Sequence, residues 1–375
     1  MRIYQLIHSV DTISSGPSYS VIRLSQQLSM SGYKVTVITN GEGLNINSSA
    51  LDVEIISKIG RLDANFVSRF REKLNTVFAS DLSVLHGHGI WRPVNLAPLL
   101  RRRGSQTKIL WSPRGMFSRW SMNHNKYRKL PFWMGVQKPA MKNVDCFHAT
   151  SEAEYLDIRR LGFMQPVALV PNGVDVPLNT NKAREKQLLF LGRVHKQKGI
   201  ELLIDAWESI CADYPDWSLK IAGPINNSYS SSLQQDTIAR NIPRLSFLGE
   251  VKGQVKTELL SNSGILVLPT YSENFGMVIA EALAHALPVV TTTETPWLDL
   301  QKDGIGWVIK PDTKELIECL SFVMSCSLGV LHEMGEKGKY WVGNNYSWDI
   351  ITSDISDTYK WLHGLEKQPK CVVTE

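Results

Sequence analysis

The segment PTYSENFGMVIAEALAHALPVV, residues 269–290, restricts the fold more than any other part of the sequence. An apolar run with the length of a buried strand, Ile265–Leu268, comes directly before it. A polar turn follows, and a helix is predicted from about Phe275 to Ala286, before a second strand begins near Pro288. Strand, turn, helix and strand in this order are typical of a βαβ unit in a parallel sheet.

The same alternation of strand and helix patterns extends through the rest of the chain. In the second half, the strand candidates are Gln187–Leu191, Leu219–Ala222, Leu245–Leu248, Ile265–Leu268, Pro288–Thr291 and Trp307–Ile309. In the first half, they are Ile3–Val10, Lys34–Thr39, Leu82–His86, Lys108–Trp111 and Cys146–Ala149. Ser151 and Glu154 fit a capping box that opens the next helix. We therefore expect an α/β protein with two doubly wound, Rossmann-like domains.

A change of composition near the middle of the chain marks the predicted domain boundary. Residues 170–182 are rich in turn formers and lack apolar periodicity, as expected of a linker. An amphipathic helix with Ser347 as its N-cap is predicted near the end. The predicted division is one domain at 1–170, a second at 171–346, a terminal helix at 347–365 and a tail at 366–375. The cleft between the two domains is the expected site.

Composition and charge exclude several classes of protein. The 375 residues are 43% hydrophobic and 21% charged, which is typical of a globular chain and not of a disordered one. A formal net charge of +5 does not by itself indicate a nucleic-acid-binding protein. The apolar runs are too short to span a bilayer, and the N-terminus lacks the apolar region of a secretory signal. Because the five cysteines are scattered, we expect neither disulfides nor a cysteine zinc site. The expected location is therefore a reducing cytoplasm.

Two glutamates in the segment 269–290 are candidate ligand-binding residues. Glu273 lies in the loop at the helix entrance, where backbone N–H groups of Asn274, Phe275 and Gly276 are expected to point at an anionic ligand. Glu281 lies about two turns further along, on a face that could meet a ribose. The alternative is a surface helix with two solvated acids, since two glutamates eight apart are a weak signal alone.

Further segments fall in a recognisable order around this pair. They are Val170-Pro-Asn-Gly-Val-Asp175, Phe190-Leu-Gly-Arg-Val-His-Lys-Gln-Lys-Gly199, Leu219-Lys-Ile-Ala-Gly-Pro224 and Leu245-Ser-Phe-Leu-Gly249. With Glu273 and Glu281 as an E-x7-E signature, the chain resembles the GT-B nucleotide-sugar glycosyltransferases, in particular retaining family 4 of the bacterial surface-polysaccharide type. The match is most specific over residues 187–291. It is looser in the first half, where Ser15–Pro17, His86–Trp91 and Ser112–Met116 carry it.

The resemblance implies a GT-B fold in which the two Rossmann-like domains face a cleft and the terminal helix crosses back to the first domain. The first domain would bind the acceptor and the second the nucleotide sugar. Arg193 and Lys198 would neutralise the departing diphosphate as a planar fork and a point charge. Because the chain has no Asp-x-Asp motif, a metal beside the diphosphate is not indicated, and we expect no cofactor.

Two further assignments follow from the resemblance in the first half. His88 would contact the transferred sugar, and His86 is the weaker candidate of the pair. Retaining members are usually described by front-face attack, in which the leaving phosphate takes the acceptor proton and Glu273 holds sugar hydroxyls. Gly16 would let the backbone approach the diphosphate. The family commonly has two adjacent glycines here, so Ser15 and Pro17 depart from the pattern.

A one-sided charge distribution marks residues 82–144, which contain twelve Lys and Arg residues and no Asp or Glu. Apolar and aromatic residues are interleaved with the charges. A basic–aromatic mixture suits the headgroup level of an anionic membrane or a phosphorylated, lipid-linked acceptor. The alternative is a solvated basic face. The residues predicted to contact the acceptor or the membrane are Arg114, Arg119, Trp120, Lys126, Arg128, Lys129 and Trp133.

The resulting hypothesis is a retaining glycosyltransferase that moves a hexose or N-acetylhexosamine from a UDP- or GDP-sugar to a polyprenyl-diphosphate-linked saccharide in O-antigen, lipopolysaccharide or capsule biosynthesis. It would work at the inner face of the cytoplasmic membrane and bind no nucleic acid. One alternative is a GT-B nucleotide-sugar epimerase, for which the basic–aromatic region has no evident use. Another is a non-catalytic nucleotide-sugar-binding partner of a polysaccharide assembly complex. A Rossmann dehydrogenase is disfavoured because no G-x-G-x-x-G follows the first strand.

Overall fold

The computed structural model divides into two compact units. Unit 1 consists of Met1–Gly173 and Trp348–Glu375, and unit 2 consists of Val174–Ser347. The residues described are 1–10, 16–39, 52–55, 64–79, 82–100, 106–124, 126–178 and 184–374, with the side chains of 52–55 and 64–69 left out. Ser15, Arg101, Arg102, Arg103 and the end of the predicted linker lie outside the described residues.

The strands follow the predicted segments closely. They are β1 Arg2–Ile7, β2 Lys34–Thr39, β3 Asp52–Ile55, β4 Ser83–His88, β5 Thr107–Ser112, β6 Cys146–Ala149, β7 Val167–Leu169, β8 Gln187–Leu191, β9 Ser218–Ala222, β10 Leu245–Gly249, β11 Ile265–Leu268, β12 Val289–Thr292, β13 Gly306–Ile309 and β14 Val372–Val373. Each strand predicted from the apolar pattern is present within a few residues, because a buried parallel strand needs a nearly continuous apolar run.

Helices occupy most of the segments between the strands. They are α1 Gly16–Met30, α2 Ala64–Ala79, α3 Pro93–Leu100, α4 Arg119–Asn123, α5 Lys126–Phe132, α6 Lys138–Met141, α7 Glu152–Arg160, α8 Ile200–Ile210, α9 Ser228–Ala239, α10 Gly253–Asn262, α11 Met277–Ala284, α12 Thr313–Ser325, α13 Leu328–Tyr346 and α14 Trp348–Leu362. One π-helical turn covers Trp133–Gln137, and 3-10 turns cover Lys196–Lys198 and Leu298–Leu300.

Each unit contains one sheet among the residues described. The order is β14-β7-β6-β5-β4-β1-β2-β3 in unit 1 and β10-β9-β8-β11-β12-β13 in unit 2. The strands pair in parallel, except that β14 pairs antiparallel with β7. In both sheets the strand order reverses beside the first strand of the unit, between β1 and β4 and between β8 and β11. These reversals are the topological switch points at which doubly wound sheets bind ligands.

The alternation of side chains along the unit 1 strands builds two apolar layers. Leu85 and Ile109 belong to one buried cluster, whereas their neighbours Val84 and Leu110 belong to another. This follows from the two-residue period of a strand, which places successive side chains on opposite faces. α14 packs against the second layer through Trp348, Ile351, Ile355 and Tyr359. The terminal helix is therefore part of unit 1.

No single helix in the described part of the chain is long and apolar enough to cross a membrane. By length and composition alone, α12 and α13 could do so only as a pair, and that pair is bent by 107°. Both helices contribute side chains, among them Leu320 and Val342, to the buried core of unit 2.

Two glycines of α13 provide a matched test of packing in unit 2. A Cβ on Gly335 would lie 1.6 Å from the carbonyl oxygen of Ala286, whereas a Cβ on Gly343 would meet nothing closer than 3.9 Å. We expect Gly335→Ala to lower the free energy of unfolding by about 2 kcal/mol because the backbone must move apart. Gly343→Ala should raise it by up to about 1 kcal/mol, since alanine favours a helix interior. Urea unfolding followed by circular dichroism measures both, and equal effects would contradict this packing.

Candidate functional site

In unit 2, the loops that follow β8 and β11 meet at the switch point. The Tyr271 N–H donates to the Gln197 carbonyl at 2.8 Å, and the Gln197 side-chain amide donates to the Ser272 carbonyl at 2.9 Å. The Thr270 hydroxyl donates to the same Gln197 carbonyl at 3.0 Å. The segment with the predicted Lys198 and the segment with the predicted Glu273 are thus joined by backbone and side-chain hydrogen bonds.

Gly199 makes the close approach of these two loops possible. Its φ of 63° is in the left-handed region, and it is the N-cap of α8. A Cβ at this position would lie 2.0 Å from the Pro269 carbonyl oxygen. Only glycine satisfies both the backbone conformation and the contact, which explains a glycine directly after the predicted lysine.

Lys198 and Glu273 form an ion pair at this junction. The two side chains are only 13% and 17% exposed, so the pair lies in a recess and not on the open surface. Two residues predicted to bind the diphosphate and the sugar are therefore in direct contact. An ammonium group has three donors, so Lys198 keeps hydrogen-bonding capacity beyond Glu273.

Arg193 lies in the same loop as Lys198 but in a different environment. Its side chain is exposed, and within the described residues it makes no hydrogen bond or ion pair. The guanidinium is a permanent cation that can bind a phosphate group through two parallel N–H bonds. The loop after β8 thus carries one cation that is paired with a carboxylate, Lys198, and one exposed cation, Arg193.

The predicted start of the helix after Glu273 is wrong by two residues. α11 spans Met277–Ala284, and its N-cap is Gly276, with a left-handed φ of 80°. Asn274 and Phe275 therefore precede the helix, and the Asn274 N–H donates to the Glu273 carboxylate at 3.3 Å. Phe275 is drawn into the core, where its ring lies 5.4 Å from that of Trp297. The first-turn amides belong instead to Gly276, Met277 and Val278.

Glu281, on α11, forms an ion pair with Lys256 of α10 at 2.7 Å. Its carboxylate is 15% exposed. The sequence analysis did not identify Lys256, because nothing in the spacing of two helices separated by a strand predicts the pairing. Glu281 is held in place by this lysine, as Glu273 is by Lys198.

In unit 1, a pocket of about 540 Å³ lies at the switch point between β1 and β4. Its lining includes residues that follow β1, among them His8 and Ser18, and residues at the end of β4 and after it, among them His88 and Trp91. The predicted Gly16 opens α1 beside this lining. Three cationic side chains border the pocket, and none of the described lining residues is an aspartate or glutamate. The three are Arg92, Arg114 and Lys129.

His88 is buried and belongs to a chain of hydrogen bonds that starts at the pocket. Arg114 donates through two nitrogens to His88 Nδ1 at 3.2–3.3 Å, and it donates to Asn172 Oδ1 at 2.6 Å. His88 Nε2 lies 2.7 Å from Gln5 Oε1, and the Gln5 amide donates to the Tyr359 hydroxyl at 3.2 Å. The predicted site residue His88 is therefore fixed at both ring nitrogens.

The chain continues through His86 into the core. His86 Nδ1 lies 2.7 Å from the Tyr359 hydroxyl, and His86 Nε2 lies 3.1 Å from His148 Nδ1. His148 Nε2 lies 2.8 Å from the Val170 carbonyl oxygen. Burial lowers the pKa of all three histidines, that of His148 to about 3, and the charge of Arg114 adds to the effect. His86 is fully buried, so it supports the site from behind.

Arg114 adopts a backbone conformation that is uncommon for a non-glycine residue. Its φ is 56°, and Gly115 follows with a φ of 74°. The buried Glu154 carboxylate accepts a hydrogen bond from the Gly115 N–H at 2.6 Å. Ser151 caps α7 as predicted, and the Glu154 carboxylate accepts from the Thr150 N–H at 2.8 Å and braces the turn after β5. Burial lowers the pKa of the Arg114 guanidinium to about 10, so it stays charged at neutral pH. Strain of this kind is typically found at ligand-binding turns.

The structure separates the predicted acceptor and membrane residues into three groups. Arg114 and Lys129 line the pocket, and Lys129 lies over the Trp91 ring at 5.2 Å. Trp133 is only 4% exposed and packs among aromatic rings of the core, so its predicted surface role is wrong. The remaining four lie on α4 and α5, which bury no residue: Arg119, Trp120, Lys126 and Arg128. Within the described residues, no cluster of three or more metal-ligating side chains is found.

The buried histidines predict a pH dependence of stability. His148 has a pKa near 6.5 when unfolded and about 3 when folded, so the unfolded state binds a proton first as pH falls. The contribution of neutral His148 to the free energy of unfolding is fully present above pH 6.5. It is lost toward pH 3, by about 1.4 kcal/mol per pH unit. His148→Gln should therefore flatten the pH dependence of urea unfolding between pH 6.5 and 4. An unchanged slope would show that His148 is charged in the folded protein.

Two family models match the two halves of the chain. The model described as Glycosyltransferase Family 4 matches residues 14–177, and the model described as Glycosyl transferases group 1 matches residues 177–341. The boundary between the two matches falls close to the point where unit 2 begins, at Val174. The unit 2 site lies within the matched residues, and so does the unit 1 pocket except for Ile7, His8 and Ser9.

Relatives that are named for an activity are similar to this chain over about half of its length. It is 28% identical over 210 residues to a phosphatidyl-myo-inositol mannosyltransferase of Mycobacterium tuberculosis, covering 52% of this chain and 54% of the relative. It is 27% identical to the capsular polysaccharide biosynthesis glycosyltransferase CapM of Staphylococcus aureus, covering 48% and 50%. The chain thus spans about half the length of these relatives. A protein of the Klebsiella pneumoniae cps region matches over 95% of this chain and 99% of its own at 20% identity.

Solved structures share the whole fold. Sucrose-phosphate synthase from Thermosynechococcus elongatus superposes with a TM-score of 0.78 at 19% identity, covering 98% of this chain and all of that one. HepE from Anabaena, in complex with UDP and glucose, superposes with a TM-score of 0.73 at 15% identity, covering 96% and 99%. The expected GT-B fold is confirmed. The chain therefore has the GT-B fold, and each of its two halves matches a glycosyltransferase family model.

Proposed function

We propose that the chain is a retaining glycosyltransferase that transfers a hexose or N-acetylhexosamine from a UDP- or GDP-sugar to a lipid-linked, anionic saccharide during synthesis of a surface polysaccharide. The observation that carries the donor half is the junction of Arg193, Lys198 and Glu273 at the unit 2 switch point. A relative named for capsular polysaccharide biosynthesis and one named for its place in a cps region support the pathway class. The UDP complexes of HepE support a uridine donor. Retention rests on the family resemblance.

The donor junction provides the charge pattern that the reaction needs. Cleavage of the sugar–phosphate bond leaves about two negative charges on the diphosphate, and fixed cations in a recess stabilise them more than water does. Lys198 is held by Glu273, so it pays little conformational entropy when it binds phosphate. Arg193 is exposed and supplies the second cation. The amides of Gly276, Met277 and Val278 add the positive end of α11.

Glu273 has two tasks in this proposal. It orients Lys198 and, with its second oxygen, accepts hydrogen bonds from hydroxyls of the transferred sugar. Glu281, braced by Lys256, is assigned to the ribose. Since these cations and amides supply the positive charge at the leaving group, we propose that transfer needs no metal ion.

The unit 1 pocket carries the acceptor half of the proposal. Three cations without a carboxylate among the described lining favour an anionic group such as the diphosphate of a lipid-linked saccharide. The mycobacterial relative is named for a phospholipid acceptor, which is the same chemical class of ligand. His88, between this cationic pocket and the core network, is assigned to the transferred sugar.

The exposed face of α4 and α5 is proposed to lie on an anionic membrane surface. Besides the basic Arg119, Lys126 and Arg128, it exposes large apolar side chains, which are Trp120, Tyr127 and Leu130. Tyr127 is 92% exposed, which is unusual for an aromatic residue without a partner surface. Basic and aromatic side chains together are favoured at the lipid headgroup level.

Replacement of the donor residues tests the proposed reaction. Lys198→Ala and Glu273→Ala should each lower transfer from a UDP- or GDP-sugar by about 100-fold or more, since each removes a group that acts on the leaving diphosphate or the sugar. Lys196→Ala is the matched control, because Lys196 is an exposed lysine on the same 3-10 turn. It should retain wild-type turnover. Product analysis by mass spectrometry, with thermal shifts for UDP, GDP and ADP, measures the outcome.

Other results of that assay would contradict the proposal. Interconversion of nucleotide sugars without transfer would indicate an epimerase, and donor binding without turnover would indicate a non-catalytic partner. Turnover that a chelator abolishes would contradict the metal-free leaving-group site. Wild-type transfer by a folded Lys198→Ala or Glu273→Ala variant would refute the assigned role.

Vesicle flotation tests the membrane surface. At low salt the chain should float with anionic vesicles and not with neutral ones. Replacing Arg119, Lys126 and Arg128 with serine should weaken binding by about 3 kcal/mol, roughly 100-fold, at about 1 kcal/mol per charge. The control replaces three exposed lysines of unit 2 with serine: Lys252, Lys302 and Lys314. Equal losses in both triple variants would indicate nonspecific attraction and overturn the assignment of this face.

A further inference from the structure

The hydrogen-bond chain from the pocket to the core of unit 1 has only one arrangement of protons. At the pocket end, Arg114 can only donate, so His88 Nδ1 must accept and carry no proton. A neutral His88 then has its proton on Nε2 and donates to Gln5 Oε1. The Gln5 amide in turn donates to the Tyr359 oxygen.

The protons in the other half of the hydrogen-bond chain are fixed in the same way. The single Tyr359 proton must be donated to His86 Nδ1, so His86 carries its proton on Nε2 and donates to His148 Nδ1. His148 then donates through Nε2 to the Val170 carbonyl, which can only accept. A donor-only group at one end and an acceptor-only group at the other leave no second assignment. Charging His88 or His148 would place two N–H groups against each other, and charging His86 would place its Nδ1–H against the O–H of Tyr359.

We propose that Tyr359 and Gln5 are positioning residues that hold His88 in one neutral tautomer, and that His88 thereby holds the Arg114 guanidinium toward the acceptor pocket. The inference rests on the proposed function, in which this pocket takes an anionic acceptor. Arg114 has a left-handed φ of 56° and reaches His88 and Asn172 with different nitrogens, so its orientation depends on both acceptors. If His88 became charged or changed its orientation, its Nδ1 could no longer accept from Arg114, and of these two acceptors only Asn172 would remain.

Tyr359 belongs to α14, the segment that rejoins unit 1 after unit 2. Its hydroxyl is the link between the His86–His148 half of the chain and the Gln5–His88 half. The terminal helix thus contributes a polar group to the site in addition to its apolar contacts. The residue at position 359 must therefore be buried and must carry a polar group that can both accept from Gln5 and donate to His86.

Histidine tautomers measured by 15N NMR test the inference without any assay of transfer. The 375-residue chain is labelled with 15N at its nine histidines, and the signals are assigned by comparison with His→Gln variants. At pH 7, His86, His88 and His148 should be neutral Nε2–H tautomers. In Tyr359→Phe, His86 loses its donor and the Gln5 N–H2 loses its acceptor, so the Gln5 amide can reverse and donate to His88 Nε2. That reversal favours the Nδ1–H tautomer against the one that Arg114 requires, so the His88 signals should shift to a mixture of tautomers. Tyr33→Phe is the matched control, because Tyr33 bonds Ser356 of the same helix outside the chain, and its spectrum should match wild type.

Inorganic pyrophosphate serves as the probe for the effect on Arg114. Titration should move the His88 signals, and Tyr359→Phe should need about tenfold more pyrophosphate for the same change, equivalent to one lost hydrogen bond. If Tyr359→Phe does not fold, Gln5→Met interrupts the chain from the other side with the same expectation. A charged or Nδ1–H His88 in wild type, or unaltered His88 signals in both variants, would overturn the positioning role. Absence of any pyrophosphate effect with the tautomers as expected would instead contradict the proposed anionic acceptor.

Discussion

A parallel sheet that reverses its strand order leaves one gap at its carboxyl edge, because the connections on the two sides leave in opposite directions. Unit 1 has this gap between β1 and β4, and unit 2 has it between β8 and β11. Both candidate sites occupy such gaps. The sites therefore depend on strand order, and the loops that differ from protein to protein can change the ligand without changing the sheet.

The cationic side chains at the two gaps are held in place by different kinds of group. In unit 2, carboxylates hold the lysines: Glu273 pairs with Lys198, and Glu281 pairs with Lys256. In unit 1, a neutral network reaches the pocket, and the cation at its end, Arg114, is fixed by a histidine ring and an amide. For the proposed reaction, an ion pair suits a cation that binds a diphosphate and later releases it, since its carboxylate would compensate the charge between turnovers. A neutral network leaves the full positive charge of Arg114 directed at an incoming anion.

Much of the fold could be predicted because burial leaves a direct mark on the sequence. Apolar runs gave the strands within a few residues, and the polar linker indicated two domains. Helix starts were less certain: α11 begins after Gly276 because Phe275 packs against Trp297, a contact across the core that no local pattern contains. Trp133 was misassigned for the same reason, since a basic–aromatic segment does not show which of its rings face inward.

Residue types and their spacing were enough to predict the kinds of chemistry that this chain carries: a glycine after Lys198, glutamates eight residues apart, two histidines at the end of a strand, and a basic segment without acids. Those features are local, and side-chain type and short spacing are enough to state them. Only the tertiary structure decided the partners, because they come from distant parts of the chain. Gln5 and Tyr359 are 354 residues apart and share one hydrogen bond, and Lys256 reaches Glu281 from another helix. Hydrogen bonds and ion pairs act over a few ångströms in space and leave no periodic signal along the chain.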